Sequence, residues 1–313
     1  MSAAPPPLFT ASGGPAVRAN AAWVEGADGV RLRSVLFPHP TPRGTAILST
    51  GRTEFIEKYA EVIGELMARG FTVLTHDWRG QGLSDRLILG EPLKGHARGV
   101  DPFLDDLARV VAGHQAELPR PWIAVGHSMG GALTLAAVAE GRLRVDALVL
   151  SAPMIAVCTG ATPLWLAGLA AGLLARMGRT RAYAQAPSEP LDDPFDGNPL
   201  THDRRRWERT QALLLDHPEL RLGQVTWGWV VFAFALAARL RRSASRLPAP
   251  LWIVAAGDDR LVETAAAKAY CARVPDARWE AVPGALHEIL MESDPIRAVF
   301  WAAFDEADAA LPR

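Results

Sequence analysis

The stretch Trp122-Ile123-Ala124-Val125-Gly126-His127-Ser128-Met129-Gly130-Gly131-Ala132-Leu133 decides the fold. Its first four residues are continuously apolar, as in a strand buried on both faces of a parallel sheet. Its last residues open a run of small side chains, 130–140, that reads as a closely packed helix. Between them lies Gly126-His127-Ser128-Met129-Gly130, a G-x-S-x-G. Alone the pentapeptide is a modest signal, since such a composition yields one by chance roughly once in ten chains. Its strand–turn–helix setting makes it specific. The turn is so sharp that side chains on either flank would clash, and the strain thrusts the Ser128 hydroxyl clear of the sheet edge. Ser128 is the candidate nucleophile.

Outward from this turn, residues 31–37 alternate polar and apolar, as a half-exposed strand does. Short apolar runs at 45–50, 71–78, 147–151, 251–256 and 278–282 read as further buried strands. Between them, 55–69 places Ile56, Tyr59, Val62, Ile63, Leu66 and Met67 on one helical face before Gly70 ends it. A second helix is expected over 102–118, with Asp101 as N-cap and Pro102 in its first turn. Strand alternating with helix means an α/β protein with a mostly parallel, doubly wound sheet.

The rhythm breaks between Cys158 and Arg242, where two apolar helical stretches flank a polar segment. We expect a flexible tail at 1–20, a core formed by 21–157 and 243–313, and a helical cap, or lid, at 158–242. The cap carries 11 Arg against 8 acids, a balance that favours an anionic surface. Its apolar runs, 163–175 and 226–238, are about 13 residues each. A bilayer span needs roughly 20, so they read as buried or interfacial helices.

Bulk composition excludes several classes. The 313 residues carry a net charge of −1, which argues against nucleic acid as a partner. Cys158 and Cys271 are far apart and in no metal spacing, fitting small buried hydrophobes in a reducing compartment. The N-terminus lacks a basic segment followed by an apolar one, so no secretory signal is read. The location expected is cytoplasmic, with peripheral contact at the inner face of the membrane through the cap. The sequence leaves the oligomeric state open.

A serine hydroxyl needs a neighbouring base. His287 stands in a loop between the last strand and the closing helix, where its Nε2 can reach Ser128. The acid orienting that base should follow the strand at 251–256, and Asp258 and Asp259 compete. Asp259, in Asp259-Arg260-Leu261-Val262, is preferred. Oxyanion donors are expected from the backbone N–H groups of Met129 and of Arg52, the latter following Gly51 in a tight loop.

The segments Thr50-Gly51-Arg52-Thr53-Glu54-Phe55, Asp77-Trp78-Arg79-Gly80-Gln81-Gly82-Leu83-Ser84, Gly126–Gly130 and those around Asp259 and His287 together resemble one branch of the α/β-hydrolase fold. That branch holds the monoacylglycerol lipases and bacterial lysophospholipases, and the similarity covers about 31–304. The resemblance implies hydrolysis of a single-chain glycerolipid ester through an acyl-enzyme, without a cofactor. Thr50-Gly51 replaces the His-Gly usual in monoacylglycerol lipases, which leaves a backbone donor but puts the substrate in question. Asp77–Ser84 is expected to brace the loops at the sheet edge. Trp165, Trp227, Trp229, Phe232 and Phe234 either line an acyl tunnel or form cap core. Arg204, Arg205 and Arg206 either meet a phosphate or lie on a solvated face. A small-ester or lactone hydrolase with the same residues, and a non-catalytic ligand binder of the fold, are the rival readings.

Overall fold

The computed structural model describes residues 4–9, 18–160, 164–188, 191, 194–244 and 247–311. Eight strands form one sheet in the order β1-β2-β4-β3-β5-β6-β7-β8: β1 (Asn20–Glu25), β2 (Arg31–Phe37), β3 (Gly44–Ser49), β4 (Phe71–His76), β5 (Trp122–His127), β6 (Ala147–Ser151), β7 (Leu251–Ala256) and β8 (Arg278–Val282). Pairing is antiparallel for β1–β2 and β2–β4 and parallel from β4 to β8. Strands β3 to β7 are buried along their whole length. That is why they read as unbroken apolar runs.

Helices α2 (Asp101–His114), α3 (Ser128–Ala139) and α7 (Thr264–Cys271) help to build the core on one face of the sheet. Helices α1 (Ala60–Ala68) and α8 (Asp294–Ala309) pack on the other. Between β6 and β7 the described residues hold three helices: α4 (Leu164–Arg176), α5 (Arg204–Asp216) and α6 (Trp227–Ser243). Helix α5 is capped by Asp203, whose carboxylate accepts the Arg206 N–H at 2.9 Å. Helix α6 packs on α3 and carries α4 on its outer side.

Three local expectations are corrected. Strand β1 was not anticipated, because it is a half-exposed antiparallel edge strand without an apolar run. Residues 4–9 lie docked, not loose as a tail would be: the Phe9 N–H donates to Glu57 Oε1 at 3.1 Å and the Arg33 guanidinium to the Pro7 carbonyl at 3.1 Å. Asp101 is the first residue of α2 and not its cap, since Val100 is the N-cap. Its carboxylate instead takes hydrogen bonds from Arg142 and Arg239.

Candidate active site

Strand β5 runs into α3 with no loop between them, and Ser128 stands at the junction with φ +49°. A non-glycine residue there is strained, and the surroundings enforce it. A Cβ at Gly130 would lie 2.2 Å from the Thr50 carbonyl oxygen, and one at Gly126 would lie 2.6 Å from the Gly131 Cα. Both contacts are with backbone, so neither glycine has room for a side chain. The turn presents Ser128 Oγ 2.8 Å from Nε2 of His287.

His287 follows β8 in a loop held on two sides. Its N–H and that of Glu288 donate to the Pro199 and Leu200 carbonyls of the inserted segment at 3.3 and 2.9 Å. The Leu286 N–H donates to Glu292 Oε1 at 3.0 Å. Nδ1 of His287 lies 2.7 Å from Asp259 Oδ2. The other oxygen, Oδ1, accepts the Leu261 and Val262 N–H groups at 2.8 and 3.0 Å. Burial pushes the Asp259 carboxyl up, but His287 and those two donors outweigh it and leave the group below its ordinary value. Asp258 is exposed. Of the two competing acids, Asp259 is the one in contact with the imidazole.

Beneath these residues lies a buried polar cluster that the sequence did not reveal. Glu54 accepts Lys58 Nζ at 3.0 Å, the Tyr59 hydroxyl at 2.7 Å and the Gly51 N–H, and lies 3.1 Å from His127 Nδ1. Lys58 also donates to Glu288 at 2.5 Å, and His127 Nε2 sits 3.2 Å from the His287 carbonyl. Burial opposes ionisation of Glu54, yet Lys58, His127 and Tyr59 hold its carboxyl well below the usual range. One carboxylate thus ties the Gly51 loop to the residues beside both Ser128 and His287. The available signal was that Glu54 and Glu288 adjoin the two motifs in sequence. Nothing along the chain shows that Lys58 joins them.

The Asp77–Ser84 segment braces the same loop. Asp77 accepts Arg33 Nε at 2.7 Å and the Leu83 N–H at 2.8 Å, while Gln81 Nε2 donates to the Gly51 and Glu54 carbonyls at 2.7 and 3.1 Å. Arg52 borders the cleft, and Thr53 beside it is strained at φ +62°. Met129 opens α3, where the first N–H groups lack intrahelical acceptors.

Ser128 and His287 open onto a cleft of about 550 Å³ between the sheet edge and the insertion. Among the anticipated aromatics, Trp229 lines it. Phe232 does not: it is 1% exposed and stacks in the core 4.8 Å from the Phe103 ring. Trp227 is half-buried outside the lining, and Phe234 faces Gly168 of α4. Phe232 and Phe234 are thus packing residues of α6, one toward the core and one toward α4. The side chain of Trp165 lies outside the described residues. Trp207, Leu214 and Leu222 line the cleft without having been anticipated. Arg206 is enclosed by Glu61, Asp203 and Asp294, Arg204 pairs with Asp196, and Arg205 is exposed.

A sheet of this order, with a serine–histidine–aspartate relay at its carboxyl edge, defines the class of serine hydrolases with the α/β-hydrolase fold. The chain belongs to the Hydrolase_4 family, described as serine aminopeptidase, S33, whose model matches residues 40–294. It is 32% identical to lysophospholipase L2 of Escherichia coli over 286 residues, covering 88% of this chain and 83% of that one. It is 30% identical to the monoacylglycerol lipase of Mycolicibacterium smegmatis over 275 residues, covering 86% and 90%. A soluble variant of the Saccharomyces cerevisiae monoglyceride lipase, solved with a substrate analogue, shares the fold with a TM-score of 0.73 at 19% identity, over 97% of this chain and 98% of that one.

Proposed function

We propose that this protein hydrolyses the acyl ester of single-chain glycerolipids, lysophospholipids or monoacylglycerols, through an acyl-enzyme on Ser128. The observation that carries the reading is the unbroken Asp259–His287–Ser128 relay, at 2.7 and 2.8 Å, opening into the cleft. His287 Nε2 takes the hydroxyl proton as Oγ attacks the acyl carbonyl. The Nδ1–H stays donated to Asp259, which stabilises the imidazolium. The N–H groups of Met129 and Arg52 hold the oxyanion. The imidazolium then protonates the leaving glycerol oxygen, and a water activated by the same nitrogen releases the fatty acid.

The helices α4 to α6 act in this reading as a cap, and Trp207, Leu214, Leu222 and Trp229 accept the acyl chain. Leu166, Leu169 and Leu173 along α4, with Met177 just past its end, are 45–64% exposed at helical spacing, an outward apolar stripe suited to a lipid surface. No helix among the described residues is long and apolar enough to cross a membrane. Peptide hydrolysis from a free N-terminus would need a free carboxylate in the cleft for the α-amino group. Among the described residues that line the cleft, Glu54 and Glu288 are both engaged by Lys58, and Asp196 is 89% exposed and paired with Arg204.

Hydrolysis of p-nitrophenyl esters of increasing acyl length, with product analysis on a lysophospholipid and monoacylglycerol panel, tests the proposal. A kcat/KM that rises with chain length and free fatty acid from the panel are expected. A maximum at acetyl with an inert panel would favour the small-ester or lactone reading instead.

A further inference from the structure

Among the described residues the Arg52 side chain is a cation without an anionic partner. Its backbone lies in the loop after β3, and the residue lines the same cleft as Ser128. Only one of its five N–H donors is used among the described residues: Nη1 donates to the Gly223 carbonyl at 3.1 Å. The guanidinium carbon stands 5.6 Å from the Trp229 ring centroid. Among the described residues no carboxylate lies within ion-pair distance of it, and burial alone draws its pKa down, to about 10. The charge is therefore kept at neutral pH.

The fully buried Arg and Lys side chains are neutralised, whereas half-buried Arg86 donates to the Glu219 and Arg221 carbonyls. Arg33 meets Glu57 and Asp77, Lys58 meets Glu54 and Glu288, and Arg206 meets Glu61, Asp203 and Asp294. Among the described residues the acids that line the cleft are Glu54, Glu288 and Asp196, and each is paired with a cation other than Arg52. Desolvating a guanidinium without a counter-charge is unfavourable. A site that retains one is suited to an anion brought by a ligand, and the planar fork matches phosphate in bidentate fashion.

We propose that the Arg52 guanidinium receives the headgroup phosphate of the substrate and so directs the enzyme to anionic single-chain phospholipids over uncharged monoacylglycerols. This rests on the acyl-ester reading above and narrows it. The dimensions agree. Six bonds separate an acyl carbonyl carbon from the phosphorus across a glycerol, roughly 7 Å when extended, at about 1.5 Å or less per bond. Five bonds separate the Arg52 Cα from its guanidinium carbon, about 6 Å. One residue can thus present its N–H to the ester oxygen and its fork to the phosphate.

The test compares kcat/KM for lysophosphatidylglycerol and a monoacylglycerol of the same acyl length, each below its micellar concentration. The ratio cancels any loss common to both substrates. Arg52→Gln is expected to lower the ratio by about 10- to 100-fold, the range of one charged hydrogen-bonded contact, with partial recovery in Arg52→Lys. An equal fall on both substrates, or an unchanged ratio, overturns the inference while leaving the acyl-ester reading intact. Inertness of the unaltered protein toward both lipids overturns both. A second measurement needs no variant: glycerol 3-phosphate should slow fluorophosphonate labelling of Ser128 where glycerol does not. Equal effects of the two, or inorganic phosphate acting as strongly as glycerol 3-phosphate, contradict a site built for a lipid headgroup.

Discussion

At Ser128 the backbone is driven into a conformation that L-residues avoid, and hydrogen bonds on the far side of His287 align the base to use it. Asp259→Asn disturbs the tautomer and orientation of the imidazole and should lower kcat/KM about 10³- to 10⁴-fold, whereas Asp258→Asn should change it by no more than about threefold. Steady-state kinetics on a water-soluble ester distinguishes the two. Glu54 acts differently, as a positioning residue. Glu54→Gln leaves Lys58, His127 and the Gly51 N–H poorly matched in a dry cluster. It should lower the unfolding free energy by about 3–5 kcal/mol, read from urea titrations. Ser128 and His287 were legible in the sequence because each sits in a motif whose place in the strand order is fixed. Asp259 was preferred there but not fully separable from Asp258, because which adjacent carboxyl turns inward is set by the N–H groups of Leu261 and Val262 after the chain has folded. The Glu54–Lys58–Glu288 cluster was illegible for a related reason: its members are 230 residues apart, and charged side chains carry no periodic signal.

Among the elements, the β5–α3 junction leaves the least freedom. Gly130→Ala sets a methyl group against the Thr50 and Ser49 carbonyls, which belong to the sheet and cannot yield. Overpacking of this kind costs about 1–3 kcal/mol or more, so a lowered unfolding temperature and loss of ester hydrolysis are expected together. Helix α4 is the opposite case, with its apolar stripe facing outward. Leu169→Glu with Leu173→Glu should at least halve, roughly, the fraction that floats with anionic vesicles, since each change removes an apolar contact and adds repulsion. The rate of fluorophosphonate labelling in that variant reports whether the site is still formed. Equal flotation of the two proteins would exclude α4 as the lipid-facing element. Strands β3 to β7 were legible because burial on both faces writes a continuous apolar run. Strand β1 was not, since pairing at one edge imposes no such run. The roles of Phe232 and Trp227 stayed open in the sequence because inserted apolar helices have two buried faces, one toward the core and one toward the cleft, and composition does not tell them apart.

For the whole molecule, the buried histidines set the response to pH. Burial lowers His76 to about 3, and burial with the charges of Arg98, Arg181 and Lys94 lowers His96 to about 4. Below the ordinary imidazole value of 6.5, the unfolded chain binds protons that these two groups refuse, so stability falls as pH drops from there toward 4. Burial works against protonation of His127, but Glu54 outweighs it and raises the group above 6.5; its contribution is complete below that value and is lost as pH rises through the folded pKa. A maximum in the urea midpoint near pH 6.5 is therefore expected, with decline on both sides. A flat profile, or a maximum above pH 8, would contradict it. The inserted segment is tied to the loop that carries the base, since the Pro199 and Leu200 carbonyls accept the His287 and Glu288 N–H groups. Three side chains from the ends of β5, β7 and β8 meet in one relay, and intact-mass analysis after fluorophosphonate treatment tests that claim most directly. The account expects one adduct per chain, mapped to Ser128, absent in Ser128→Ala and slowed by several orders of magnitude in His287→Gln. An adduct that persists in Ser128→Ala, or an unaltered protein that takes none, would contradict it.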